Sequence, residues 1–142
     1  MNINIKKLHQ DAQIPEYATD GSGCFDLRSI ESATVINNDF QGFSTGLSFE
    51  VPDGFVMLIF SRSGHGFTKG IRLANCVGVI DSDYRGEVKV KLKSDQSELL
   101  VNVGDRIAQA MVMPIPRVHF TEVQDLSDTE RGSGGFGSTG SI

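Results

Sequence analysis

Hydrophobic residues recur along this chain in short alternating or continuous runs, separated by turn-forming residues. The clearest alternation covers residues 87–93, where Val88, Val90 and Leu92 face one way and Glu87, Lys89, Lys91 and Lys93 the other. Runs rich in β-branched or aromatic residues, or with period two, also fall at 3–8, 24–29, 34–36, 43–51, 55–60 and 106–114, and each predicts a strand. Asn37-Asn38-Asp39, Pro52-Asp53-Gly54 and Val103-Gly104-Asp105 supply turns between them. No window carries a long amphipathic helix, and residues 63–69 predict at most a helical turn. Many short strands joined by turns predict an all-β sandwich, jelly roll or barrel.

Composition narrows this without changing it. The 142 residues suit one domain with a sizeable core, and 16 Gly, nine Phe and no Trp suit a turn-rich β protein. No apolar run has membrane-spanning length, and the opening Met1-Asn2-Ile3-Asn4-Ile5-Lys6-Lys7 lacks the apolar core of a secretion signal, so a soluble, intracellular, cytoplasmic protein is expected. A formal charge of −5 argues against binding a nucleic-acid backbone. It leaves room for a small polyphosphate, whose charge a few Arg, backbone N–H groups and a divalent cation can meet locally. Cys24 and Cys76 are too few and too separated for a Cys-based zinc site, and free thiols fit better than a disulfide. His9, His65 and His119 show no metal-ligand spacing and read as surface or packing residues.

Residues 131–142 break the pattern. Arg131 opens a Gly/Ser-rich segment whose only large apolar side chains are Phe136 and Ile142. Too little surface can be buried there to offset ordering, so the segment is expected to be mobile when free, as a flexible arm following a β domain over 1–130. A Gly/Ser tail is usually a linker, but this one carries a cation, hydroxyls at Ser138 and Thr139, and a ring that can lie on a base. Its glycines let backbone N–H groups wrap an anion. No Lys follows them as a Walker loop requires.

Four further groups have chemical interest. In Gly78-Val79-Ile80-Asp81-Ser82-Asp83-Tyr84-Arg85-Gly86, two acids sit one residue apart at a strand end: on an extended chain Asp81 and Asp83 share a face, while in an ordinary hairpin they are acidic turn residues. Ser61-Arg62-Ser63-Gly64 places a guanidinium fork and a short hydroxyl after an apolar strand, a combination suited to phosphate oxygens but also to an ordinary solvated turn. Gly104-Asp105-Arg106-Ile107-Ala108-Gln109 offers the Gln109 amide, with Asp105 and Arg106 as a candidate structural pair. Asp26, between Phe25 and Leu27, suits an Arg partner or a hydrated metal.

Each group is weak alone, but their order is informative. Gly23–27, Arg62-Ser63-Gly64, residues 75–86, 104–109 and 131–140 together resemble the five motifs of the trimeric dUTP pyrophosphatases (dUTPases), in sequence, over essentially the whole chain. The third and fifth are highly specific. Cys24, Ser61 and the His65-Gly66 pair depart from that family's usual Gly, Pro and Leu-Ala. The resemblance implies a jelly-roll-like β domain in a homotrimer, with sites built between subunits and no membrane or direct nucleic-acid partner. It implies hydrolysis of dUTP to dUMP and pyrophosphate by water attack on the α-phosphorus, assisted by Mg²⁺ held chiefly by phosphate oxygens and waters. Such a reaction limits uracil incorporation into DNA and supplies dUMP for dTMP synthesis.

By the same resemblance, Asp81 is the general base and Tyr84 packs under the deoxyribose. Asn75 and nearby backbone of residues 75–79 read the uracil edge, with Gly78, Val79 and Ile80 among the substrate-binding residues. Arg62, Ser63, Gly64, Gln109, Arg131, Gly137, Ser138 and Thr139 hold phosphates, Phe136 stacks on the base, and Asp26 meets the metal only through water. The dCTP deaminases share this fold, but their catalytic Glu-containing segment does not occupy residues 78–88. From a different class, a regulatory module that signals nucleotide occupancy to a protein partner would be favoured by degraded third or fifth motifs, and both are intact.

Overall fold

In a computed structural model, which describes residues 1–136 and 138, the chain forms eleven strands and one helix. The strands are β1 (Asn4–Lys7), β2 (Phe25–Arg28), β3 (Ala33–Val35), β4 (Phe40–Ser44), β5 (Leu47–Glu50), β6 (Phe55–Phe60), β7 (Ile71–Leu73), β8 (Val77–Ile80), β9 (Lys89–Ser94), β10 (Leu99–Val101) and β11 (Arg106–Pro114). The helix is α1 (Ser63–Lys69), between β6 and β7. A four-stranded sheet has the order β2-β11-β6-β8, a three-stranded sheet the order β4-β9-β7, and β1-β5 and β10-β3 form two-stranded ladders. All these pairings are antiparallel. The architecture is the jelly-roll-like β-sandwich that the family resemblance implies, one of the all-β forms the strand pattern leaves open.

The core lies between the sheets. Val88, Val90 and Leu92 are all buried, as are Leu27, Phe43, Leu47, Met57, Ile59, Ile71, Leu73 and Ile107. Burying each such side chain contributes about 1.5–3 kcal/mol. Lys89 and Lys91 on the opposite face of β9 are exposed. Period-two alternation with one wet face is what an antiparallel sheet over a single core requires.

The run at 43–51 is divided between two strands in separate ladders. Gly46 takes φ +67°, and a Cβ there would lie 2.8 Å from the Ala12 Cβ. Only Gly suits this left-handed, crowded kink, which lets β4 pair with β9 while β5 turns to β1. The predicted strand at 87–93 starts later, at Lys89, because Val88 donates its N–H to the Leu47 carbonyl and accepts from the Thr45 N–H at the kink between β4 and β5. β7, β8 and β10, of three or four residues each, are too short to show a sequence period and are defined by their ladder partners.

α1 follows an extended Arg62 (φ −80°, ψ 138°) and stops at Gly70, which adopts φ 63°, ψ 31° and donates its N–H to the last-turn carbonyls of Gly66 and His65. A left-handed Gly is the usual helix stop, and Lys69 in the last turn suits the negative end of the helix. Beyond Pro114 the described residues form no strand, and 115–130 are exposed. No helix among the described residues is long and apolar enough to cross a membrane.

Candidate active site

β8 is the outer strand of its sheet. It pairs with β6 on one side, Val77 opposite Phe60 and Ile80 opposite Met57, and its other edge is unpaired within the sheet. Immediately after it, the Tyr84 N–H donates to the Asp81 carbonyl at 3.2 Å, closing a tight turn. The Arg85 guanidinium donates to the Ser82 and Tyr84 carbonyls at 2.7 and 3.1 Å and holds that turn from outside. The chain then enters β9, which belongs to the other sheet, so β8 and β9 diverge. Between them lies a cavity of about 540 Å³ lined by Val79, Ile80, Asp81, Tyr84, Glu87, Val88 and Lys89. A smaller hollow of about 250 Å³ continues along the same strands, with Asn75, Gly78 and Lys91 on its walls. Asn75, Gly78, Val79, Ile80, Asp81 and Tyr84 are thus gathered along one cleft.

The turn also settles the placing of the two acids. Asp81 and Asp83 do not share a face, because the chain reverses between them instead of staying extended. Asp81 lines the cleft, while Asp83 lines a separate hollow with Glu50, Asp53 and Arg85. Tyr84 is fixed by its hydroxyl, which donates to the Glu87 carbonyl at 3.0 Å. Its ring covers Gly86 so closely that a Cβ there would lie 2.4 Å from the Tyr84 oxygen. Glu87 is anchored in turn, accepting from the Gly46 N–H at 2.9 Å and pairing with Lys89 at 3.4 Å. The strand pattern places Glu87 and Lys89 on the wet face; their position on the cleft wall depends on how the turn aims β9.

A second constellation sits at the far end of the four-stranded sheet. Asp26 Oδ1 lies 3.4 Å from Arg62 Nε, and Asp26 Oδ2 lies 3.2 Å from a terminal nitrogen of Arg106. A terminal nitrogen of Arg62 donates to the Arg106 carbonyl at 3.3 Å, and the Gln109 amide donates to the Ser61 carbonyl at 3.0 Å. Arg62 is therefore not a loose turn residue: a carboxylate and a carbonyl set its fork while donors remain for an anion. Asp105 does not pair with Arg106. It accepts from the Asn102 N–H at 2.8 Å, because the tight turn at 102–105 draws its carboxylate back onto the backbone. Ser63 and Gly64 are exposed at the start of α1.

His65 adds a group outside the sequence-derived set. Its Nδ1 is enclosed and has no hydrogen-bond partner among the described residues. Burial, with Arg62 and Lys69 adding to it against an opposing pull from Asp105, holds its pKa below the ordinary value of 6.5. Burial, and then the Asp26 charge, raise the Cys24 thiol above its usual range, so it stays protonated. Cys24 and Cys76 are free thiols.

The two constellations are not brought together within one chain. Asp81 continues β8 past Ile80, opposite Met57, whereas Arg62 lies beyond Phe60 at the other end of β6. At about 3.3 Å per residue, that separates them by roughly 15–20 Å. The tail is separate again. The Arg131 guanidinium donates to the Gly134 carbonyl at 2.8 Å, Ser138 donates its N–H to Gly135, and the Phe136 ring is fully exposed. Gly137 and Thr139 lie outside the described residues.

Comparison with known proteins identifies the family. The dUTPase family model matches residues 10–140. The deoxyuridine 5'-triphosphate nucleotidohydrolase of Nautilia profundicola is 47% identical, with 99% of each chain covered. The enzyme of the same name from Helicobacter hepaticus is 45% identical over 99% of this chain and 89% of its own. The structure of Staphylococcus bacteriophage 80alpha dUTPase with dUPNHPP matches the fold with a TM-score of 0.90, covering 98% of both chains at 24% identity. With its five motifs in order, its fold and these whole-length relatives, this chain belongs to the dUTPase family.

Proposed function

We propose that this protein hydrolyses dUTP to dUMP and pyrophosphate by attack of water on the α-phosphorus, in a homotrimer whose sites are shared between subunits. The observation that carries the reading is the cleft between β8 and β9, where Asp81 and Tyr84 line one cavity. The unpaired edge of β8 offers backbone donors and acceptors of the kind a pyrimidine edge needs. Asn75, Gly78, Val79 and Ile80 recognise uracil there, and the ring of Tyr84 supports the deoxyribose and excludes a 2'-OH.

Asp81 positions the water, accepts its proton and bonds the sugar 3'-OH. A carboxylate is a modest base, so orientation of the water supplies much of the acceleration. Arg62, Ser63, Gly64 and Gln109 hold phosphate oxygens, and fixed donors aimed at developing charge are effective because they need no reorganisation. Since Arg62 and Asp81 stand at opposite ends of one sheet, the phosphate-holding residues that serve a given Asp81 come from a neighbouring copy. Residues 131–142 of a third copy act as a lid: Arg131, Gly137, Ser138 and Thr139 on phosphates, Phe136 on the base.

A bound Mg²⁺ supplies charge neutralisation and orientation for the triphosphate. Its preference for oxygen ligands and retained waters suits coordination through phosphates. Among the described residues no group of three or more His, Cys, Asp or Glu could hold a metal ion, and both oxygens of Asp26 already face Arg. Asp26 is accordingly assigned an indirect role through water.

The test is dUTP turnover with and without Mg²⁺ for the parent protein and Asp81→Asn. General-base catalysis typically supplies a factor on the order of 10²–10⁴. The variant should lose at least about that much turnover while still binding a non-hydrolysable dUTP analogue. Turnover near the parental rate would remove Asp81 from its assigned role.

A further inference from the structure

Gly46 is buried at the kink between β4 and β5, and its N–H donates to the Glu87 carboxylate, 2.9 Å away. The kink grips the neighbouring cleft wall through other bonds. Ser48 Oγ donates to the Arg85 carbonyl at 2.6 Å, the Val88 N–H donates to the Leu47 carbonyl at 2.8 Å, and the Thr45 hydroxyl donates to the Val88 carbonyl at 2.7 Å. These bonds fix Arg85 and Val88. Between them stand Gly86, which has no side chain, and Glu87, whose link to the kink is its carboxylate. That side chain is 23% exposed, so its charge-assisted bond to a buried N–H is largely shielded from water. The other carboxylate oxygen meets Lys89 at 3.4 Å, but the lysine side chain is 66% exposed, and a pair so open to water adds little.

The same residue holds the cleft's aromatic wall. The Tyr84 hydroxyl donates to the Glu87 backbone carbonyl at 3.0 Å. Tyr84 is half exposed, so water competes for that hydroxyl, and the bond gains most when its acceptor is already held still. A continuous chain of bonds thus runs from the buried Gly46 N–H through the Glu87 carboxylate and carbonyl to the Tyr84 ring.

We propose that Glu87 is a positioning residue for sugar selection: by bonding the Gly46 N–H, its carboxylate fixes the carbonyl that holds the Tyr84 ring in the cleft. This rests on the assignment of Tyr84 as the wall under the deoxyribose. Glu87 touches no reacting atom in this role. What it supplies is stiffness, and its reach to the kink matters more than its charge.

Two substitutions separate reach from charge. Glu87→Gln keeps the length and an oxygen that accepts from the Gly46 N–H, and gives up the charge. Glu87→Asp keeps the charge but falls short of the kink by one methylene. The chain has no Trp and two Tyr, so a Tyr17→Phe background leaves Tyr84 as its one tyrosine, and time-resolved fluorescence anisotropy reads the motion of that ring. UTP and dUTP kcat/KM are measured on the same proteins, with Tyr84→Ala beside them and melting curves to confirm folding.

Glu87→Asp and Glu87→Ala should raise the amplitude of fast depolarisation. They should also raise UTP kcat/KM relative to dUTP by roughly three- to tenfold, less than Tyr84→Ala because the ring is still present. Glu87→Gln should keep both readouts near the parent's. If Glu87→Ala does not fold, Glu87→Asp and Glu87→Gln carry the comparison. A ring as still in Glu87→Asp as in the parent would overturn the proposal. So would a loosened ring with an unmoved ratio where Tyr84→Ala raises it, or a Glu87→Gln protein that behaves like Glu87→Asp. An unmoved ratio in Tyr84→Ala would instead count against the sugar-wall reading, and with it against sugar selection by Glu87. The anisotropy would still decide whether Glu87 holds the ring.

Discussion

Tyr84 shows how much a single ring can decide. Its hydroxyl is tied to the Glu87 carbonyl at 3.0 Å and its ring lies close against Gly86, so it has little freedom to move; in the proposed site that rigidity keeps out a larger sugar. A rigid wall excludes a hydroxyl far better than a loose one. Tyr84→Ala should therefore raise UTP kcat/KM relative to dUTP on the order of ten- to a hundredfold, the scale on which a pocket discriminates a single hydroxyl. Gly86→Ala tests the same wall from behind. A Cβ there would sit 2.4 Å from the Tyr84 oxygen, so the ring must move, and the specificity ratio should relax in the same direction. Specificity constants for the two nucleotides, measured on both variants, check this; an unchanged ratio in both would place sugar selection elsewhere.

At the scale of elements, the arm after β11 separates stability from activity. Phe136 has all of its side chain in solvent, and residues 115–133 are exposed. Removing 131–142 takes away no core contact of the described residues and should change stability by no more than about 0.5 kcal/mol. If the segment is a lid that orders over bound substrate, its contacts act on the transition state and their loss appears in kcat more than in KM. The truncated protein should melt like the parent, bind a non-hydrolysable dUTP analogue and turn over dUTP very poorly. Within the arm, Phe136→Ala should cost about 1–3 kcal/mol of transition-state stabilisation if the ring stacks on the base. Undiminished kcat in the truncated protein would return the segment to an ordinary tail.

At the scale of the whole molecule, Asp81 and the Arg62 cluster lie at opposite ends of a sheet. On the proposed reading, that separation suits an assembly in which each subunit completes another's site. Mixed oligomers test this directly. Asp81→Asn and Arg62→Ala should each be nearly inactive alone. Refolded together in equal amounts, they should recover activity in roughly a quarter of the sites, one half times one half, because a site then needs Asp81 from one parent and Arg62 from the other. A mixture no more active than its components would mean that each site is built within one chain. Light scattering of the parent, giving three subunits per particle, fixes the count that the complementation presumes.

The sequence by itself determined the strands long enough to show a period: 55–60 and 106–114 are β6 and β11, and the buried and exposed sides of β9 follow the alternation of valine and lysine. It also determined which residue types stand in the five motifs and the stop of α1 before Gly70, since local spacing and a left-handed glycine are encoded over a few residues. Tertiary structure decided what depends on distant partners. β7, β8 and β10 exist through their ladders, and a crowded Gly46 divides one hydrophobic run between two strands. The turn at 81–84 parted Asp81 from Asp83, and Asp26 reached across strands to hold Arg62 and Arg106 in place of the local Asp105–Arg106 pair. The enclosure of the His65 Nδ1 is of the same kind. Periodicity and turn chemistry are properties of neighbours in the chain, whereas hydrogen-bond partners, cavities and charge environments are set by residues that only folding makes neighbours.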